Sequence, residues 1–252
     1  MSAPGSDPVT KPLVLYASGD GGWFGAAVDM FRSIAGAGYP TVGISSRSFL
    51  RLERLRQAAV DQVPLSETSL AADYGTILDD ARSDLRLQPD TPVILTGWSR
   101  GAAFAVIAAP RLTKSTFVDG VVAIGLDEGE NLELEDGDND DDSGQGPHAD
   151  ANEPRHWPFE TYPLLRALEP MRVAVIQSTH DGYLPAARAR ELLGPDTTSR
   201  RLIAIDAKNH RFSGGKETFQ TALVDMLNWV TGQSGPGTLN SEPRTESPTP
   251  SP

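Results

Sequence analysis

The sequence predicts an α/β domain, a mostly parallel sheet with helices on both faces. Three observations carry this expectation. Short apolar runs recur along the chain, stretches with helical spacing separate them, and one strand-to-helix junction reads Gly97-Trp98-Ser99-Arg100-Gly101. Strands that alternate with helices make βαβ units and a parallel sheet. Right-handed crossovers then place helices on both faces.

Leu13-Val14-Leu15-Tyr16-Ala17 is too short for a helix and is closed by Ser18-Gly19-Asp20-Gly21-Gly22, which is how a fully buried strand reads. Residues 24–37 follow with Val28, Phe31, Ile34 and Ala35 on one helical face, and Gly36 and Gly38 supply the stop. Pro40 to Ile44 is the second strand. Residues 68–87 read as a helix and Val93 to Thr96 as the third strand. The Ala-rich stretch Gly101 to Leu112 is helical, and Val118 to Leu126 is the fourth strand. Arg172 to Gln177 and Leu202 to Asp206 complete the sheet, with helices over Pro185 to Leu193 and Lys216 to Val230. No internal repeat interrupts this order.

A chain of 252 residues suits one large domain. Residues 11–232 are expected to form it, after a flexible segment 1–10 and before a tail, 233–252, that has no apolar periodicity and is expected to be disordered. The net charge of −12 argues against a nucleic-acid surface. No run approaches the ~18 apolar residues of a membrane span. The first ten residues lack the basic and apolar regions of a signal peptide, so none is expected. The absence of cysteine excludes disulfides, thiol catalysis and Cys-based zinc sites.

The acidity belongs to one segment. Ten acidic residues and no Lys or Arg stand between Asp127 and Asp142, and the other 24 acids nearly balance 22 bases. Residues 127–156 therefore read as a solvated, flexible acidic insertion. Asp138, Asp140 and Asp142 have the first three ligand spacings of an EF-hand loop. Ser143 stands where its glycine is required and Ala149 where its final Glu is required, so a calcium site is not expected.

The chemistry points to Gly97-Trp98-Ser99-Arg100-Gly101, where a buried strand ends and an Ala-rich helix begins. That context makes a nucleophile elbow: a strained turn with a serine at its tip and glycines where the chain packs closely. A serine hydroxyl needs a base. His210 follows the last strand in Asn209-His210-Arg211-Phe212-Ser213-Gly214-Gly215 and is placed for that role; His148 and His156 read as surface residues, and His180 as a neighbour of the acid. The acid that orients the imidazole is expected to be Asp181, after the penultimate strand, with Asp127 as its rival. Oxyanion donors are expected from the backbone N–H of Arg100 and from Asp20 or Gly21 in the loop after the first strand. The Asp20 side chain could instead contact a cationic substrate group. Trp23 and Trp98 are candidate pocket walls.

Ser18-Gly19-Asp20-Gly21-Gly22-Trp23, the elbow and the Asn209–Gly214 segment together resemble the VirJ/AcvB bacterial virulence-protein family of α/β-hydrolases, over about residues 11–231. In this chain Arg100 stands where an aromatic is common in that family, and Asn209 replaces the first of a histidine pair. The resemblance implies an α/β-hydrolase fold with Ser99, Asp181 and His210 as the triad. It also implies a periplasmic setting, and activity toward aminoacyl-phospholipid or related esters. The expected function is thus a serine ester hydrolase acting on a small-molecule or lipid ester through an acyl-enzyme, with no metal or organic cofactor. Contact with a membrane surface is compatible with such a substrate. The rival reading is a non-catalytic, secretion-associated binding protein that keeps the fold.

Overall fold

The computed structural model of the chain describes residues 11–59, 65–112, 117–133 and 157–232. The segments 1–10 and 233–252, His148, His156 and the Asp138–Asp142 spacing lie outside them. Eight strands are present among the described residues: β1 (Leu13–Ala17), β2 (Thr41–Ile44), β3 (Val93–Trp98), β4 (Val118–Ile124), β5 (Gly129–Glu130), β6 (Phe159–Glu160), β7 (Arg172–Ser178) and β8 (Arg200–Ile205). Six of them form one sheet in the order β2-β1-β3-β4-β7-β8. Every neighbouring pair in it is parallel. The helices are α1 (Ala26–Gly36), α2 (Ser46–Ala59), α3 (Glu67–Asp84), α4 (Arg100–Leu112), α5 (Thr161–Ala167), α6 (Ala186–Leu193) and α7 (Lys216–Val230). None is long and apolar enough to cross a membrane.

The two faces of the sheet explain its continuous apolar strands. Leu13, Leu15, Val93, Leu95, Val121 and Val173 point to one side, against α3, α4, α5 and α6. Val14, Tyr16, Ile94, Val122, Ala174 and Ile176 point to the other, against α1 and α7. Side chains alternate along a strand, so a strand covered on both faces must be apolar at every position. The parallel strands bring all their carboxyl ends to one edge. Chain order reverses between β1 and β3, and in open α/β sheets the binding crevice forms outside such a switch point. The loop 18–25 and Ser99 both emerge there.

The structure departs from expectation in several places; α1, for one, buries Ala27, Met30 and Ile34 and leaves Ala35 of the expected face exposed. The helix α2 is not legible in the sequence, because its pattern is inverted: Ser46, Leu50 and Glu53 face inward, and Leu52 and Leu55 are exposed. The fourth strand stops at Ile124 rather than Leu126, since Gly125 turns at φ +57°. The expectation of a flexible segment does not hold for residues 127–133. Gly129 and Glu130 pair antiparallel with Phe159 and Glu160, and Gly129, Glu130 and Leu132 are buried. The Gly129 backbone lies against the Trp157 ring, where a Cβ would sit 2.1 Å from Cγ.

Candidate active site

Ser99 sits at φ +57°, in the left-handed region that a non-glycine residue rarely adopts. Its N–H donates to the Ile124 carbonyl at 2.9 Å, and its carbonyl accepts from Ala102 N–H at 2.8 Å as α4 begins. The flanking glycines are required by packing. A Cβ on Gly97 would lie 2.3 Å from the Gly101 carbonyl carbon, and one on Gly101 would lie 2.2 Å from the Ala17 carbonyl oxygen.

The candidate acid and base, Asp181 and His210, stand on the loops after β7 and β8. His210 Nδ1 is 2.7 Å from Asp181 Oδ2. An ionised carboxylate only accepts, so Nδ1 carries the proton and Nε2 holds the basic lone pair. Both residues are buried. Asp181 is held from several sides: its Oδ1 accepts from the N–H groups of Tyr183 (2.9 Å) and Leu184 (3.4 Å), and its Oδ2 accepts from Gln177 Nε2 at 3.2 Å. The His210 ring stacks on Trp98 with centroids 5.3 Å apart and meets Tyr183 at 4.8 Å. Trp98 Nε1 also donates to the His210 carbonyl at 3.2 Å. Beneath the ring, a Cβ on Gly125 would come within 2.7 Å of His210 Cε1. His210 Nε2 is buried and has no hydrogen-bond partner among the described residues. The bond from Ser99 that base catalysis requires is therefore not formed in this geometry; such bonds often tighten only with substrate bound.

The loop after β1 is locked by its carbonyls. The Gly19 carbonyl accepts from Gly22 N–H at 3.0 Å, from Ser46 Oγ at 2.9 Å and from Ser18 Oγ at 3.3 Å. Ser18 Oγ in turn accepts from Ser46 N–H at 3.3 Å. In a trans peptide the N–H points opposite to the carbonyl. The Gly19 carbonyl faces Ser46, on the β2 side, so the Asp20 N–H points away from Ser46. Gly19 is against Ser99: a Cβ on it would be 3.3 Å from Ser99 Cβ.

A charged cluster lies beside the elbow. Arg100 Nε is 2.9 Å from Asp20 Oδ1 and 3.3 Å from Glu130 Oε2. Glu130 is buried, and burial raises its pKa; Arg100 and the N–H groups of Leu132 and Asn131 oppose that shift, while Asp20 adds to it. The Asp20 carboxylate is thus engaged by Arg100 through Oδ1. Trp23 is 40% exposed and rests over Gly43, where a Cβ would be 2.1 Å from its ring. Trp98 is buried, and its ring stacks on that of His210. The rival acid Asp127 accepts from Glu128 N–H at 2.7 Å. His180 Nδ1 lies 3.0 Å from the Ala207 carbonyl and 2.9 Å from Thr179 Oγ1. Sequence reasoning missed Ser46, Gln177, Gly125 and Glu130. Only Gly125, a glycine directly after a buried strand, carried a local signal.

No family model matches this chain, and no curated protein is similar to it. Solved structures are. One of the metagenome-derived lipolytic enzymes LipS and LipT aligns with a TM-score of 0.54 at 19% identity, over 87% of this chain and 94% of its own. The esterase domain of a Rhodothermus marinus protein aligns at 0.52 and 13% identity, over 89% of both chains. The fold is that of the α/β-hydrolases. The type II thioesterase YbtT, of the yersiniabactin pathway, shares this hydrolase fold at a TM-score of 0.50 and 18% identity, over 90% of this chain and 96% of its own. At these identities the likeness concerns the fold alone.

Proposed function

We propose that this chain is a serine hydrolase acting on an ester, with residues 11–232 as the hydrolase unit. The observation that carries the reading is the 2.7 Å bond from His210 Nδ1 to buried Asp181, at the sheet edge that also holds Ser99 in its φ +57° turn. In this reading Ser99 Oγ attacks the ester carbonyl and passes its proton to His210 Nε2. Asp181 keeps the proton on Nδ1 and stabilises the imidazolium. The N–H groups of Arg100 and Asp20 receive the oxyanion, and His210 returns the proton to the leaving alcohol. Water, activated by His210, then cleaves the acyl-enzyme. Arg100, at the start of α4, is further steadied by its side-chain contacts to Asp20 and Glu130.

The finer reading keeps the resemblance to the VirJ/AcvB family and, with it, an aminoacyl-phospholipid or related ester as substrate. The SGDGGW loop, whose Gly19 lies against Ser99 while its carbonyl is held by Ser46, supports it. The test is labelling with a fluorophosphonate probe, followed by hydrolysis of an ester panel that includes aminoacyl lipids. Ser99 is expected to take the label, and Ser99→Ala is expected to lose both label and turnover. The loss should reach roughly 10⁶-fold if the group acts as a unit, as in a studied protease. A Ser99→Ala protein that still turns over esters would overturn the assignment, and an unlabelled wild-type protein would favour a binding role.

A further inference from the structure

Two aromatic rings bound the His210 imidazole. Trp98, at the end of β3, stacks on it with ring centroids 5.3 Å apart and an interplanar angle of 30°. Tyr183, on the loop after β7, meets it at 4.8 Å and 53°. Both separations fall within the ~6 Å at which an aromatic face attracts a cation. The surroundings hold the three rings together. A side chain at Gly125 would collide with the imidazole, since a Cβ there would lie 2.7 Å from His210 Cε1. Trp98 Nε1 donates to the His210 carbonyl at 3.2 Å, which pins the indole to the residue it stacks on. Tyr183 donates its backbone N–H to Asp181 Oδ1 at 2.9 Å while its ring meets the base.

The charged group bonded to the imidazole is Asp181, on the loop after β7. His210 is buried, so the positive charge it acquires forms away from water, where electrostatic contacts are stronger. The negative face of an aromatic ring attracts an imidazolium more than a neutral imidazole. A contact that strengthens as the transition state is reached raises kcat, whereas one equally strong beforehand does not.

We propose that Trp98 and Tyr183 form an aromatic clamp that stabilises the His210 imidazolium by cation–π attraction, alongside Asp181. Its effect on rate rests on the hydrolase reading; its preference for the protonated ring does not. Both are positioning residues, acting through His210 and not on the substrate.

The test weakens the aromatic face of Trp98 while keeping its shape and its N–H. Trp98→fluorotryptophan proteins with one, two and three fluorines are made by site-specific incorporation. Their kcat on one ester is expected to fall stepwise, to about 5–30-fold below the parent at three fluorines, with KM unchanged. The same series at Trp229, which packs on Arg201 and Arg172 at the other end of the sheet, is expected to leave kcat unchanged. Nuclear magnetic resonance of ¹³C-labelled histidine follows the proton itself: His210 is expected to release it roughly one pH unit lower in the trifluoro protein than in the parent. Tyr183→Leu, at an exposed position, should lower kcat about 2–5-fold, and Tyr183→Phe, which keeps the aromatic face, should stay close to the parent. This second arm, read by the same two measurements, decides the matter if the trifluoro protein does not fold. A His210 titration that stays flat across the series overturns the clamp, whatever kcat does, because packing alone would then explain the contacts. A titration that moves beside an unchanged kcat overturns its role in the rate. A titration that moves in a protein that cleaves no ester keeps the clamp and sinks only the hydrolase reading.

Discussion

The Ser46 hydroxyl donates to the Gly19 carbonyl oxygen at 2.9 Å, across the gap between the loops after β2 and β1. Through the peptide plane, that bond fixes the Asp20 N–H to point away from Ser46, and in the proposed mechanism this N–H serves the oxyanion. In the proposed mechanism Ser46 touches no substrate and acts as a positioning residue. Ser46→Ala should lower kcat with little change in KM, and by less than the 10²–10³ that follows outright loss of an oxyanion donor. Ser46→Thr, which keeps the hydroxyl, should recover part of the loss. Steady-state kinetics beside a melting curve decides this: a KM effect, or a kcat loss no larger than the drop in folded fraction, would make Ser46 merely structural.

The acid is tested by a pair of substitutions. Asp181→Asn leaves an amide beside His210 Nδ1, which can select the wrong tautomer and cannot stabilise the imidazolium. A change of this kind is worth about 10⁴ in rate in the serine-protease case. Asp127 accepts from a neighbouring backbone N–H, and Asp127→Asn should keep activity within a few-fold. Measured kcat values on one ester check it, and a crippled Asp127→Asn beside an active Asp181→Asn would move the acid to the loop after β4.

The parallel sheet was legible in the sequence because its central strands are covered on both faces and must be apolar, as Leu13–Ala17 is. The elbow was legible because its glycines answer to collisions within the motif and with one neighbouring strand. The supports were not. Ser46 acts on Gly19 from the next βα unit, Gln177 acts on Asp181 from the end of the strand before it, and a polar residue in a buried position looks locally like any other Ser or Gln. The helix α2 hid for a related reason: it turns Ser46 and Glu53 inward and leaves Leu52 and Leu55 outside, so its apolar pattern argues against the face it buries. Glu130 was read as one more charge in a solvated block, whereas its pairing with Arg100 ties the start of that block to the residue after the serine.

Packing at the elbow is the next test. Gly101→Ala would drive a methyl group to within 2.2 Å of the Ala17 carbonyl oxygen, a backbone atom that has no other place to go. Overpacking of this kind costs about 1–3 kcal/mol and occasionally more. Gly36→Ala is the control, since a Cβ there meets nothing within 4 Å and the site is helical. Urea unfolding should place Gly101→Ala well below the parent and Gly36→Ala at or slightly above it. Equal stabilities would mean that β1 and α4 can separate without penalty.

Glu130 gives the fold a specific dependence on pH. Its pKa is raised, chiefly by burial, from the ordinary value of 4.5. The folded state therefore holds this proton more tightly than the unfolded chain. The stability that follows is fully present below pH 4.5, and it is lost as pH rises through the folded value. Arg100, Asp20 and the Leu132 and Asn131 N–H groups all face the carboxyl, and their combined effect leaves the shift upward. Glu130→Gln imitates the protonated form at every pH. Its melting temperature should match the wild type in acid and exceed it increasingly as pH climbs toward neutrality. The difference between the two proteins, measured across the pH range in one buffer system, isolates this group from every other carboxylate. A difference that shrinks with rising pH would reverse the sign and show that the Arg100 pairing outweighs burial.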